Sequence, residues 1–378
     1  VVLIRTLAVT LNDHRTSLNQ QTEKRKLPTL RKINLPYTLM HIIDLRSDTV
    51  TKPTQAMLEA MFQAKVGDDV YEEDSTVRLL EEKTARYFGM EAGLFCASGT
   101  MTNQIGIKAL TQPNDEIICD RLSHIYNYEG GGLASNALLS VRLVEGKQGR
   151  IQPSQIEENI NQDNIHYPKT SIVALENTVN KGGGCYYTLS EIEAIAKVCK
   201  KNHLKLHLDG ARIWNSLVAT GENASEYGKY FDSISVCFSK GLGCPVGSVL
   251  LASKQTIQKA KRIRKVMGGG WRQAGYLAAA GLYAMDHHIQ RLAEDHQKAK
   301  ELEQSLQRVS FVENILPVET NIVIFELSRN LTAQEFTEKI AKKGILVSPF
   351  SKYQVRMVTH LDFTDAMLED TTQVIQNF

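Results

Sequence analysis

Apolar residues in this chain fall into short unbroken runs, separated by stretches in which they recur every three or four positions. The runs His41–Arg46, Ala92–Cys96, Glu116–Asp120, Val141–Val144, Ser171–Glu176, Leu204–Leu208, Ser233–Phe238 and Ser248–Leu251 predict strands. Helical spacing marks Gln55–Met61, Thr76–Tyr87 with Ser75 as N-cap, the segment from Gly99 to about Leu110, Leu189–Asn202 and Gln255–Val266. Strand and helix alternate as far as Leu251, which predicts an α/β fold whose sheet is mostly parallel with crossover helices. Beyond the break at Gly268-Gly269-Gly270, helices are expected from about Arg272 to Arg308. Asn321–Phe325 and Gln354–His360 then read as strands around a helix at Ala333–Lys342. This mixed tail predicts a smaller α+β C-terminal domain.

Composition narrows the class. A chain of 378 residues with 42% apolar content can bury a large core and more than one domain. A net charge of +2, with charges spread along the chain, gives no basic patch for nucleic acid. No apolar run has the length of a membrane span. The six cysteines form no C-x-x-C pair and several lie in apolar runs, the pattern of buried free thiols in a reducing, cytoplasmic compartment. Residues 1–39 are polar and basic without periodicity, and are expected to be a disordered extension ahead of a start at Met40.

Two spacings carry chemistry. Lys240 lies in the glycine-rich bend between Ser233–Phe238 and Ser248–Leu251, where a strand delivers an amine to the edge of a core. Alone it reads as a surface lysine. Thirty-one residues earlier, Asp209 ends another apolar strand, and carboxylates at strand ends point into the crevice where open α/β sheets bind ligands. Together a lysine nucleophile and an acid suit pyridoxal phosphate (PLP), which needs the first for an imine and the second to keep its ring nitrogen protonated. Ala97-Ser98-Gly99-Thr100 after a strand is the recipe for a phosphate site at a helix start, with the N–H groups of Gly99 and Thr100 as donors. His124 follows the next strand and could lie on a cofactor ring; alone it reads as a structural histidine. No metal-ligand spacing stands out.

From about Met40 onward the chain resembles the threonine aldolase family. The matching stretches include Asp44–Pro53, Val66–Tyr71, Ser98–Met101, Asp209–Arg212, Ser239–Leu242, Pro245–Ser248 and Gly268–Gly275. The resemblance implies a PLP-dependent transferase-like (fold type I) large domain at 65–285, a small domain at 286–378, and a segment at 40–64 packing with the small domain. It implies that Lys240 is the Schiff-base lysine, Asp209 the partner of the ring nitrogen and His124 the ring-stacking histidine. Gly99 and Thr100 would hold phosphate, and Ser47, Arg212 and Arg356 the substrate carboxylate. Arg212 also belongs to the implied cofactor set. Lys265 and Arg272 resemble residues that reach the phosphate from a neighbouring subunit, with Tyr71 lining a site across that interface, so a homodimer or homotetramer with shared active sites is implied. His166 matches a family histidine near the substrate hydroxyl; a plain loop histidine is the other reading. One departure concerns substrate scope: Val179 stands where many members have a histidine after Glu-Asn-Thr.

The activity so implied is retro-aldol cleavage of L-threonine, L-allo-threonine and related β-hydroxy-α-amino acids to glycine and an aldehyde, with His124 or His166 as the base. A β-eliminating lyase or an aminotransferase of the same fold is the neighbouring alternative. A catalytically silent binding or scaffold subunit is the alternative of another class.

Overall fold

Continuous apolar runs become strands covered on both faces, and spaced apolar positions become the helices that cover them. The computed structural model describes residues 42–378, so the expectation for residues 1–39 lies outside the described residues. In chain order the strands are β1 (Ile43–Asp44), β2 (Ala92–Cys96), β3 (Glu116–Asp120), β4 (Ser140–Val144), β5 (Thr170–Glu176), β6 (Lys205–Gly210) and β7 (Ser233–Cys237). They continue with β8 (Ser248–Ala252), β9 (Val312–Ile315), β10 (Ile322–Leu327), β11 (Ile345–Leu346), β12 (Ser348–Pro349) and β13 (Gln354–Val358).

Among the described residues, β2 to β8 form one sheet in the order β2-β8-β7-β6-β5-β3-β4. Strands β3 to β7 run parallel, whereas β8 runs antiparallel to both β2 and β7. The reversal follows from the connection: a loop without a helix joins β7 to β8, and a parallel return needs a crossover. The carboxyl ends of β5, β6 and β7 therefore share one edge with the start of β8, where Ser248 pairs with Cys96 on one side and Cys237 on the other. Strands β3, β7 and β8 are buried along their whole length. Each fully buried Val, Leu, Ile or Phe contributes about 1.5–3 kcal/mol, so these strands carry much of the stabilisation of the core.

A second sheet, β12-β13-β10-β9, is antiparallel and has its own apolar core around Leu302, Phe325 and Phe336. The N-terminal strand β1 pairs in parallel with β11, and Leu45 continues the lacing: its N–H donates to Leu346 O and its carbonyl accepts from Val358 N–H. The next residues, Ser47 and Asp48, are thus delivered from the small sheet toward the large one.

Some boundaries differ from expectation. The helix predicted at Thr76 is Ser75–Tyr87, capped by Asp74 rather than Ser75, because the Asp74 carboxylate accepts from both Thr76 and Val77 N–H. The polar stretch after Gln152 holds a short helix, Pro153–Glu158. The expected run from Arg272 to Arg308 divides into Gly275–His287 and Leu292–Leu306.

Candidate active site

Asp209 is the last residue but one of β6, at the shared edge, and is buried. Its Oδ1 accepts from Ala211 N–H at 3.1 Å, while its Oδ2 is buried with no partner. A buried carboxylate oxygen left unpaired costs about 1–3 kcal/mol or more, so the site is built for a donor from outside the chain. A protonated ring nitrogen is such a donor. Nitrogen and oxygen atoms of His124, Glu129 and Asp209 all lie within 4.8 Å of one another. A metal ion is a poor fit to that trio, because both Glu129 oxygens already accept from side-chain amides: Oε1 from Asn103 at 2.8 Å and Oε2 from Gln104 at 2.8 Å.

The phosphate end fits as well. The helix Gly99–Leu110 begins behind the cap residue Ser98, whose Oγ accepts from Met101 N–H at 3.2 Å. The N–H groups of Gly99 and Thr100, in the first turn, have no acceptor within the helix. A Cβ added to Gly99 would meet only the Ser248 hydroxyl, at 3.8 Å, and that buried hydroxyl has no partner. Two amides and an unpaired hydroxyl around open space at a helix N-terminus form an anion cradle.

Lys240 lies in the loop after β7, at the same edge, and its carbonyl accepts from Gly243 N–H at 2.8 Å. Positive φ at Gly243 (77°) lets the chain turn back there toward β8. Next to Lys240 is a residue that sequence reasoning missed. Asp48 is fully buried and takes the fork of Arg212, from Nε at 2.8 Å and from Nη2 at 2.7 Å. Burial alone would raise the Asp48 carboxyl, but the Arg212 guanidinium and then the Lys240 charge bring it down to about 2. Arg212 thus presents its two-point edge to Asp48, which leaves Nη1 as the donor it can offer to a substrate carboxylate.

Arg356 is the better receiver. It extends from β13, with Nη1 donating to Asn180 Oδ1 at 2.8 Å and Nη2 to Arg46 O at 2.9 Å, while its buried Nε has no partner. Burial, and then the neighbouring charge of Arg212, lower its pKa to about 10. A part-buried cation beside a second cation, with an unused donor, is completed by an anion. Ser47 stands next to Asp48 at the start of this corner, its Oγ bonded to Thr49 Oγ1 at 2.9 Å.

His124 begins a short helix beyond β3. Its N–H donates to Glu176 Oε2 at 2.8 Å and its Nδ1 lies 3.0 Å from Glu129 Oε1. Burial lowers the His124 pKa, but the hydrogen bond to Glu129 and the charges of Asp209 and Glu176 outweigh it and raise the group overall. Glu176 is itself raised, by burial and by the Asp209 charge beside it. Its second oxygen accepts from Asn180 N–H at 2.9 Å, so one carboxylate ties His124 to the residue that holds Arg356.

The remaining expected residues lie elsewhere in the chain. His166 is exposed in the loop before β5, at the end of the sheet where strands begin. β5 runs seven residues from Thr170 to Glu176, a length of about 20 Å at strand rise, so within one chain His166 does not meet Asp209. Tyr71 is exposed, as is Arg272, whose Nη1 donates to Asp68 Oδ2 at 3.0 Å. Lys265 is exposed near Gly270 and lines a cavity of about 930 Å³ with Asp69, Glu81 and Arg264; His124, Asp209, Lys240 and Arg356 are not part of its wall. Val179 is buried with its side chain toward Gly149. Of the missed residues, Asp48 adjoins Ser47 and Glu129 follows His124 by five positions; their acidity beside a candidate site was the available signal.

Residues 44–330 match the Beta-eliminating lyase family. The chain is 39% identical over 339 residues to the probable low-specificity L-threonine aldolase 2 of Arabidopsis thaliana, covering 88% of this chain and 96% of that protein. It is 41% identical over 293 residues to the low-specificity L-threonine aldolase of Candida albicans, covering 76% of this chain and 77% of that protein. Among solved structures, the threonine aldolase of Leishmania major matches with a TM-score of 0.76 at 19% identity, over 89% of this chain and 99% of that one, which is a likeness of fold. Fold and site together define a PLP-dependent enzyme of fold type I, a lyase. The chain belongs to the Beta-eliminating lyase family and, through its relatives, to the threonine aldolases within it.

Proposed function

We propose that this enzyme cleaves the Cα–Cβ bond of L-threonine, L-allo-threonine and related β-hydroxy-α-amino acids to glycine and an aldehyde. The observation that carries the reading is the unpaired buried Oδ2 of Asp209 at a strand edge shared with Lys240, the helix start at Gly99 and the unfilled donor of Arg356. PLP, when bound, supplies an electron sink for the pair released from the broken bond. Asp209 would hold its ring nitrogen, Lys240 would hold it covalently, and Gly99, Thr100 and Ser248 would hold its phosphate.

The chain's own groups then set the outcome. Arg356, with Nη1 of Arg212 and the hydroxyl of Ser47, fixes the substrate carboxylate and so orients the bond to be broken. His124 takes the proton from the β-hydroxyl, and the aldehyde leaves as that oxygen forms its carbonyl. A proton added at Cα completes glycine. Incubation of the purified enzyme with L-threonine should release acetaldehyde and glycine in equal amounts. Release of pyruvate and ammonia from serine or cysteine, without acetaldehyde from threonine, would favour β-elimination instead.

We further propose a homodimer or homotetramer in which Lys265, Arg272 and Tyr71 act on a neighbouring subunit's site. Their exposure and their lack of a role in their own chain's site support it. We also propose a large domain at 65–285 and a small one at 286–378: the apolar core around Leu302, Phe325 and Phe336 is separate from that of the large sheet, which Ile289 and Leu292 join from beyond 285. The six buried free cysteines are in keeping with a cytoplasmic location, and among the described residues no helix is long and apolar enough to cross a membrane.

A further inference from the structure

Behind His124 lies a buried line of polar side chains that the chemistry above does not use. Ser233 Oγ is 2.7 Å from His207 Nδ1, and His207 Nε2 is 3.1 Å from Asn103 Oδ1. Asn103 Nδ2 donates to Glu129 Oε1 at 2.8 Å, and the same oxygen lies 3.0 Å from His124 Nδ1. Glu129 Oε2 accepts from Gln104 Nε2 at 2.8 Å, and Gln104 Oε1 accepts from Asn136 Nδ2 at 3.0 Å. The Glu129 side chain has no exposed surface. The Gln104 amide is pressed against Gly132, where an added Cβ would come within 2.1 Å of it, so the brace depends on that glycine.

The donor and acceptor roles along this line are forced. His207 is fully buried, and burial lowers its pKa to about 4, so it is neutral. The Asn103 carbonyl oxygen can only accept, so His207 Nε2 carries the hydrogen and its Nδ1 accepts from Ser233. Asn103 must then present its NH2 to Glu129. A carboxylate can only accept, so His124 Nδ1 carries a hydrogen toward it. In the neutral imidazole the other nitrogen, Nε2, is left bare as an acceptor.

We propose that Glu129 is a positioning residue: braced by Asn103 and Gln104, it pins the proton of His124 on Nδ1 and leaves Nε2 free to accept the β-hydroxyl proton of the substrate. This rests on the proposed role of His124 and deepens it. The carboxylate also stabilises the imidazolium formed once that proton arrives. The other charged or titratable groups facing His124 are Asp209 from β6, Glu176 from β5 and Tyr128, whose ring centroid is 5.5 Å from that of His124. Asp209 would be committed to the cofactor, and Glu176 binds the His124 main chain rather than its ring.

The test is nitrogen NMR of the full-length, cofactor-loaded protein labelled with 15N-histidine, with the His124 signals assigned by their loss in His124→Asn. In the unaltered protein above the His124 pKa, Nδ1 should be protonated and Nε2 bare. In Glu129→Gln the charge that holds the proton on Nδ1 is lost, so part of the proton population should shift to Nε2. The His124 pKa should fall by about half a pH unit or more, and the acid limb of kcat/KM for threonine should move down by the same amount. The visible absorbance of bound PLP should be unchanged. A proton on Nε2 in the unaltered protein, or a His124 titration unmoved by Glu129→Gln, would overturn the proposal. The first measurement decides even if the variant does not fold. An enzyme that fails to cleave threonine would refute the proposed function, while the proton position would still judge Glu129.

Discussion

Asp48 and Arg212 meet through two parallel hydrogen bonds of 2.7 and 2.8 Å, both side chains buried, although the first belongs to the segment laced to the small sheet and the second follows β6. The pair fixes one cation of the site and leaves the other, Arg356, with an open donor.

Breaking that pair should be costly. Asp48→Asn leaves a buried guanidinium without its counter-charge, a loss of about 3–5 kcal/mol that chemical denaturation would measure. The loss should depend on pH. Asp48 is held at about 2 against 3.8, so its contribution is present above 3.8 and fades as pH falls through 3.8 toward 2. Denaturation at a series of acid pH values should show the unaltered protein and the variant converging.

Asp209→Asn should retain cofactor and lose turnover. An amide cannot keep a ring nitrogen protonated, and removing such electrostatic support costs on the order of 10²–10³ in kcat. Lys240→Ala should lose the visible absorbance of covalently held PLP; an unchanged spectrum would remove Lys240 from its role.

Arg356→Ala should raise KM for threonine about 10–100-fold, the loss expected for a hydrogen bond to a charged group, with a smaller change in kcat. Arg356→Lys should rescue little, since an ammonium cannot replace a fork already bonded to Asn180 and Arg46.

His124→Asn should lower kcat by about 10²-fold or more. Because His124 is raised above 6.5 and must be neutral to accept a proton, kcat/KM should fall as pH drops through a value above 6.5. The same profile for His166→Asn tests the other expected base: within its own chain His166 stands at the opposite end of β5, so a lowered kcat/KM there would place it in a neighbouring subunit's site and an unchanged one would leave it a loop histidine.

Much of the sheet was legible because strands such as β3 and β7 are buried on both faces and appear as unbroken apolar runs. Lys240, Asp209 and the turn at Gly99 were legible because strand ends and helix starts punctuate those runs. The partnership of Arg212 with Asp48 was not, since the two are far apart in sequence and only the fold brings them together. Glu129 and Glu176 were overlooked for a related reason: a carboxylate between apolar runs looks like surface until its amide donors are seen. His166 is a residue matched by motif whose place at the start of β5 keeps it from Asp209 within its own chain, so a role for it would require a neighbouring subunit's site.

The pairing of β1 with β11 has a practical consequence for expression. Recombinant forms that start by residue 42 keep the edge strand that carries Ser47 and Asp48 into place. Forms trimmed past Asp48 would strand Arg212 without a counter-ion, and should come out of the cell poorly folded or not at all.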